Sequence, residues 1–197
     1  MSGRKLTLTP EGVLLAYCHG IFPMADERSG EVLWFRPDPR AIIPVDGFHV
    51  SRSLARTIKR ATFEIRVDAD FESVMRGCAD RPEGTWISER FVEVYTALHQ
   101  AGKAHSVEAW RDGRLVGGTY GVALGGAFMA ESMFHRETDA SKVALAALGA
   151  RLRERGFILL DVQYVTPHLE SLGAVEITRR EYERRLEQAL NLPCRFA

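Results

Sequence analysis

The chain has 197 residues, 46% of them hydrophobic, and its 26 Lys+Arg are balanced by 26 Asp+Glu. That suffices for one large domain, or one domain with a small appendage, and the zero net charge excludes a general nucleic-acid coat protein, so any nucleic-acid role must rest on a local basic patch. Cys18, Cys78 and Cys194 are scattered without ligand spacing, which supports neither a disulfide framework nor a zinc site. No apolar run approaches the roughly 18 residues of a membrane span and no signal-peptide core is present, so a cytoplasmic protein with no membrane partner is expected.

Thr9-Pro10-Glu11 reads as an N-cap, a proline in the first helical turn and an acid beside it, opening a helix that closes at Gly20. The stretch from Phe22 to Pro44 is proline-rich and irregular, with one short strand expected near Val32 to Phe35. A helix is expected from about Ser51 to Arg60 and a strand from Phe63 to Val67. Asp70 then caps a helix carrying Phe71, Val74, Met75 and Cys78 at helical spacing. After a loop from Arg81 to Gly84, Ser88 caps a helix ending near Gly102. The rhythm then changes to three consecutive antiparallel strands, Ala104 to Trp110, Leu115 to Ala123 and Ala127 to Phe134. Asp112-Gly113 and Gly125-Gly126 supply the turns between them. A helix from Ala140 to Arg155, a strand from Phe157 to Gln163, a short helical segment near Pro167 to Leu172, a strand from Ala174 to Thr178 and a last helix to Leu190 complete the chain.

Asp161 and Gln163 stand two apart in an apolar strand and are expected to project together. An Asp in such a run needs partners or a task, either an ion pair or proton handling. Arg52, Arg56, Lys59 and Arg60 recur at helical spacing and form one basic stripe, suited to phosphate tracking or simply to a solvated face. Trp86 in Gly84-Thr85-Trp86-Ile87 is either a stacking platform for a base or a core residue, and Trp34 and Trp110 have weaker claims. His105 and His168 read as structural hydrogen-bonders.

The element order, a meander followed by helix, strand and a helix–strand finish, resembles the N-acetyltransferase type. That implies an α+β protein whose mixed, largely antiparallel sheet is flanked by helices. Residues 1–60 would form a small N-terminal α/β portion and residues 61–197 the catalytic domain. The motifs Gly20-Ile21-Phe22-Pro23-Met24, Trp34-Phe35-Arg36-Pro37-Asp38-Pro39-Arg40, Gly84-Thr85-Trp86-Ile87, Ala104-His105-Ser106-Val107-Glu108, Leu115-Val116-Gly117-Gly118-Thr119-Tyr120-Gly121-Val122, Glu131-Ser132-Met133-Phe134, Asp139-Ala140-Ser141-Lys142 and Asp161-Val162-Gln163 occur in order, ahead of His168-Leu169-Glu170-Ser171-Leu172-Gly173-Ala174. Together they resemble the leucyl/phenylalanyl-tRNA–protein transferases over residues 7–185.

The resemblance implies a bacterial enzyme that moves Leu, Phe or Met from its tRNA to the α-amine of a protein beginning with Arg or Lys and so marks the product for degradation. No cofactor or metal is implied, and a monomer is expected. Asp161 and Gln163 become the catalytic positions, and the stripe from Arg52 to Arg60 the grip on the tRNA acceptor end. Trp86 and Met24 become the adenosine site. Phe128, Met129, Met133, Leu145 and Leu160, with Thr119 at the wall, are candidates for the donor pocket, although plain core is the competing reading. Glu131, expected on one strand face with Met129 and Met133, would anchor the donor's amine or its ribose, or organise the strand.

Three features depart from the family pattern. The segment usual before Leu6 is expected to be missing or short. Met24 and Phe35 replace aromatic positions, the latter in a Trp-Trp pair. Thr166 stands where an Asn is common. A CoA-dependent acetyltransferase is the first rival, but the loop His135 to Ala140 lacks the glycines that cradle a pyrophosphate. A non-catalytic RNA-binding module is the second, and the Asp161/Gln163 pair argues against it.

Overall fold

The computed structural model describes residues 6–26 and 28–197. Helix α1 (Pro10–Cys18) begins as its sequence dictates, with the Thr9 hydroxyl accepting from the Gly12 N–H at 3.1 Å. The proline-rich stretch after it is more ordered than expected. Strand β1 (Phe22–Ala25) pairs with β2 (Val32–Phe35) in a separate two-stranded sheet, and β3 (Arg40–Ile43) enters the main sheet.

Then come α2 (Arg52–Lys59), β4 (Glu64–Val67), α3 (Phe71–Ala79), α4 (Glu89–Gln100), β5 (Ala104–Arg111), β6 (Arg114–Leu124), β7 (Ala127–His135), α5 (Ala140–Glu154), β8 (Leu159–Gln163), α6 (Pro167–Glu170), β9 (Val175–Ile177) and α7 (Arg179–Leu190). Each lies within a few residues of its expected position. Ser88 does occupy the N-cap of α4, but its side chain makes no capping bond.

The main sheet has seven strands in the order β4-β5-β6-β7-β8-β3-β9, and among its pairs only β7–β8 is parallel. The fold is therefore α+β with a mixed, largely antiparallel sheet, as the element order implied. Strand β3 sits between β8 and β9, so the chain before residue 60 contributes a strand to the large sheet.

The core lies on both faces of this sheet. Tyr17, Met75, Phe91, Tyr95, Tyr120, Met129 and Leu186 belong to one cluster, under α1, α3, α4 and α7. Leu54, Phe128, Leu145, Leu148 and Leu160 belong to the other, under α2 and α5. Strand period sorts neighbours between the two, as with Phe128 and Met129.

Two irregularities break the regular pairing of the sheet. Along β6–β7, Tyr120 faces Ser132 and Gly121 faces Ala130, which leaves Glu131 as the extra residue of a bulge. Along β3–β8, Ala41 faces Gln163 and Ile42 faces Asp161, which leaves Val162 unpaired. The parallel strands β7 and β8 register only through Ala127–Leu159, Phe128–Leu160 and Met129–Asp161. Beyond that point they part.

Gly121 allows the β6–β7 bulge to close. A Cβ there would overlap the Met129 carbonyl oxygen and lie 2.5 Å from the Phe128 ring. Gly121→Ala is expected to cost about 1–3 kcal/mol by overpacking, read as a lowered urea midpoint. An unchanged midpoint would mean that the strands do not approach this closely.

Candidate active site

A cavity of about 470 Å³ opens where β7 and β8 diverge. Met24 and Phe22 from β1 and Trp86 from the loop before α4 form one wall. Glu131 to Met133 come from β7, and Val162 to Tyr164, Thr166, His168 and Leu169 from β8 and α6.

Of the positions expected to bind substrate, Met24, Trp86, Glu131 and Met133 meet here, together with Gln163 of the expected catalytic pair. Trp86 is only partly buried, its ring edge-on to Phe91 at 5.2 Å. Phe128, Leu145 and Leu160 do not line the cavity. They are sealed in the core under α5, because β7 and β8 are still paired at Phe128 and Leu160. Thr119 is buried as well, and its hydroxyl donates to the Ser132 carbonyl at 3.0 Å. Met129, Glu131 and Met133 do not share one face. The bulge at Glu131 resets the alternation, so Met129 packs in one core and Met133 against the other.

Glu131 is half-buried and held by phenols that sequence reading did not single out. The Tyr17 hydroxyl donates to one carboxylate oxygen and the Tyr95 hydroxyl approaches the other at 3.4 Å, with the two phenol oxygens 3.0 Å apart. Burial pushes the Glu131 carboxyl up to about 8. Asp161 adds to the rise, while Tyr17, Arg40 and Tyr95 offset part of it. Burial likewise raises the Tyr17, Tyr95 and Tyr120 hydroxyls. Tyr17 and Tyr95 on helices and Tyr120 on a strand look like ordinary core, so nothing in the sequence marks them.

Asp161 is fully buried and does not reach the cavity. Arg40 clamps it with two bonds, Nε to Oδ1 at 2.9 Å and Nη2 to Oδ2 at 2.6 Å. Tyr182 donates to Oδ2 at 2.8 Å, and the Gln163 N–H to Oδ1 at 3.0 Å. The Arg40 guanidinium also donates to the Gly20 carbonyl at 3.0 Å and lies over the rings of Phe22 and Tyr182. Burial acts to lower the Arg40 pKa, but Asp161 more than compensates and the net shift is upward. Asp161 and Gln163 therefore do not project together. A bulge at Val162 and a positive φ of 59° at Gln163 separate the two side chains: Gln163 lines the cavity, and its Nε2 is buried without a partner among the described residues.

His168 departs from its structural reading. Its ring lines the cavity, and Nε2 is buried without a partner among the described residues. Burial, then Lys142 and His135, hold it below its ordinary value. His105 is a structural hydrogen-bonder, 2.7 Å from Asp68.

Arg52, Arg56, Lys59 and Arg60 are all exposed on α2, whose buried residue is Leu54, and they make no ion pair with the described residues. Thr57 on the same helix donates to Asp139 at 3.2 Å, and Asp139 pairs with Lys142 at the start of α5. The stripe therefore adjoins the end of α5 whose Lys142 acts on His168 of the cavity. Among the described residues no helix is long and apolar enough to cross a membrane.

A largely antiparallel sheet with one parting parallel pair, and a cavity in the gap, is the layout of the N-acetyltransferase type that the element order resembled. The family model described as leucyl/phenylalanyl-tRNA protein transferase matches residues 42–187, and that of the N-terminal domain matches residues 7–38. Relatives bearing the name leucyl/phenylalanyl-tRNA–protein transferase include those of Herpetosiphon aurantiacus (55% identity over 96% of this chain and 98% of that protein), Gloeobacter violaceus (54%, over 97% and 98%) and Rubrobacter xylanophilus (55%, over 98% and 100%). The chain belongs to the leucyl/phenylalanyl-tRNA–protein transferase family.

A carboxyl raised to about 8 in the folded protein keeps a proton that the unfolded chain, with an ordinary value of about 4.3, releases earlier. Folding is therefore opposed progressively as pH rises from about 4.3 through about 8. The melting temperature of the wild type relative to Glu131→Gln should fall over that window and level off above it. A difference independent of pH would place the Glu131 carboxyl in water.

Proposed function

We infer that the protein transfers Leu, Phe or Met from aminoacyl-tRNA to the N-terminal α-amine of an acceptor protein, with Arg and Lys N-termini preferred, and so marks the product for degradation. The observation that carries this reading is the cavity in the β7–β8 gap, which combines apolar walls with an unpartnered amide and one titratable carboxyl. Met133, Val162 and Leu169 suit the apolar donor side chain. Trp86 and Met24 stand together on the opposite wall for the terminal adenosine. The stripe on α2 holds acceptor-stem phosphates without reading sequence.

In the reaction the acceptor's amine nitrogen forms a bond to the ester carbonyl carbon as the bond to the ribose oxygen breaks. The amine loses a proton and the ribose oxygen gains one. The ester is already activated, so positioning supplies much of the rate. The Gln163 amide orients the ester or the amine. Glu131, the cavity carboxyl whose proton affinity burial raises, carries the proton between them. Asp161, its oxygens already occupied, serves from behind Gln163.

Purified protein with labelled Leu-, Phe- and Met-tRNA should label peptides that begin with Arg or Lys over those that begin with Asp or Glu. No transfer, or transfer only to acidic N-termini, would overturn the reading. Reversing Arg56 and Arg60 to Glu should abolish tRNA binding without unfolding the protein. With three to four phosphate contacts, log K should fall against log[salt] with a slope of about −2 to −3.5. Unchanged affinity in the double variant would make the stripe a solvated face.

Donor choice separates the cavity wall from the core. Met133→Trp should exclude Phe before Leu, since overfilling penalises the larger side chain. Leu145→Ala should lower stability by about 2–5 kcal/mol and leave the Leu-to-Phe ratio unchanged. A shifted ratio in Leu145→Ala would put the donor side chain under α5.

A further inference from the structure

Each acceptor site of the Asp161 carboxylate is taken. Oδ1 receives Arg40 Nε and the Gln163 N–H, and Oδ2 receives Arg40 Nη2 and the Tyr182 hydroxyl. A carboxylate offers about four such sites, so none is left for a substrate proton. Gln163, by contrast, sits in a conformation that its backbone does not favour. Its φ is +59°, and the Tyr164 N–H bonds back to the Val162 carbonyl at 2.7 Å, closing a three-residue turn with Gln163 at its centre. Such a turn is strained for a residue with a side chain and persists only when its surroundings hold it. What holds it is the bond from the Gln163 N–H to Asp161. Asp161 is in turn fixed from two other elements, Arg40 on β3 and Tyr182 on α7. The outcome is a cavity-lining residue, only 8% exposed, whose amide Nε2 is buried without a partner among the described residues.

We propose that Arg40 and Tyr182 are positioning residues for the transfer reaction: they lock Asp161, and Asp161 holds the Gln163 backbone in the turn that aims its amide at the reacting ester. This rests on the reading that Gln163 meets the substrate. Arg40 and Tyr182 then act on turnover while touching neither tRNA nor acceptor. The rings of Phe22 and Tyr182 on which the guanidinium rests keep the clamp dry and hold the planar group in register with the carboxylate.

The test is a double-mutant cycle on leucyl transfer to an Arg-initiated peptide, with Tyr182→Phe, Gln163→Ala and the pair. Tyr182→Phe keeps the ring under Arg40 and deletes one bond to Oδ2. It should lower kcat about tenfold, in line with one lost charge-assisted hydrogen bond, and leave KM for aminoacyl-tRNA within about twofold. In the Gln163→Ala background the same change should cost nothing further, because the group it positions is gone. Equal factors in both backgrounds, or a rise in KM alone, would overturn the clamp. Arg40→Lys, which keeps the charge without the fork, should follow Tyr182→Phe; if it fails to fold, Tyr182→Phe carries the test. A second measurement does not depend on activity. The Gln163 amide should exchange with deuterium at least tenfold faster in Tyr182→Phe than in wild type, at equal global stability, and an unchanged rate would also overturn the clamp. Normal turnover in Gln163→Ala would instead overturn the role of Gln163 in the proposed function, and the exchange measurement would still report on the clamp.

Discussion

A buried guanidinium–carboxylate pair organises this molecule. Arg40 and Asp161 are 1% and 0% exposed, and withdrawing such charges from water costs several kcal/mol each. Two parallel bonds, the Tyr182 hydroxyl, the Gly20 carbonyl and two aromatic rings offset that cost. A pair of this kind is weak evidence of stability, since apolar residues of the same volume often do as well. What it supplies is location. The end of α1, strands β3 and β8 and helix α7 all meet at one guanidinium, so the segment ahead of the main sheet has a single seat on it.

That seat matters because of what adjoins it. Strands β7 and β8 can run parallel only by way of the α5 crossover, and they stay in register for three residue pairs. Past Met129 and Asp161 each strand loses its neighbour and presents a bulge, at Glu131 on one side and Val162 on the other. A bulge re-aims a side chain without ending the strand. Here one turns a carboxyl toward Tyr17 and Tyr95, and the other helps turn an amide away from the buried Asp161. The cavity is the space the two strands vacate, closed on its third side by Met24 and Phe22 of the small sheet that Arg40 helps to seat.

The sequence carried most of the elements and less of the site. Caps such as Thr9 and Asp70, the Asp112-Gly113 turn and the apolar periods of α3 and α5 are local signals, and they placed those elements within a few residues. Strands β1 and β3 escaped because each has four residues and lies in a proline-rich stretch, where pairing partners far along the chain decide the outcome. Bulges escaped because strict alternation is the only strand signal a sequence offers. Extending it through Glu131 put Met129 and Met133 on one face, whereas Met133 packs with Phe128 and Leu160 against the other core. Arg40 was visible as a letter in Pro37-Asp38-Pro39-Arg40, within a stretch expected to be irregular. Its partner lies 121 residues away, a distance that no local pattern spans.

Charge and cavity divide the work of recognition between them. A chain with no net charge cannot hold a polyanion by its overall field, and the four exposed cations of α2 are enough only if the ligand is gripped elsewhere too. Under the proposed function that second grip is the cavity. The stripe contributes affinity that ignores tRNA sequence, and the cavity contributes choice of the attached amino acid. An apolar wall separates neighbours in size by about 1–3 kcal/mol per methylene-scale change, and Met133 and Met24 are soft enough to repack around more than one occupant. Under that reading, breadth among Leu, Phe and Met with rejection of smaller donors is the expected outcome, whereas selection by a buried polar contact would give a narrower enzyme. Polar residues that line the cavity, Gln163, Glu131 and His168 among them, are left under that reading for the atoms common to every donor.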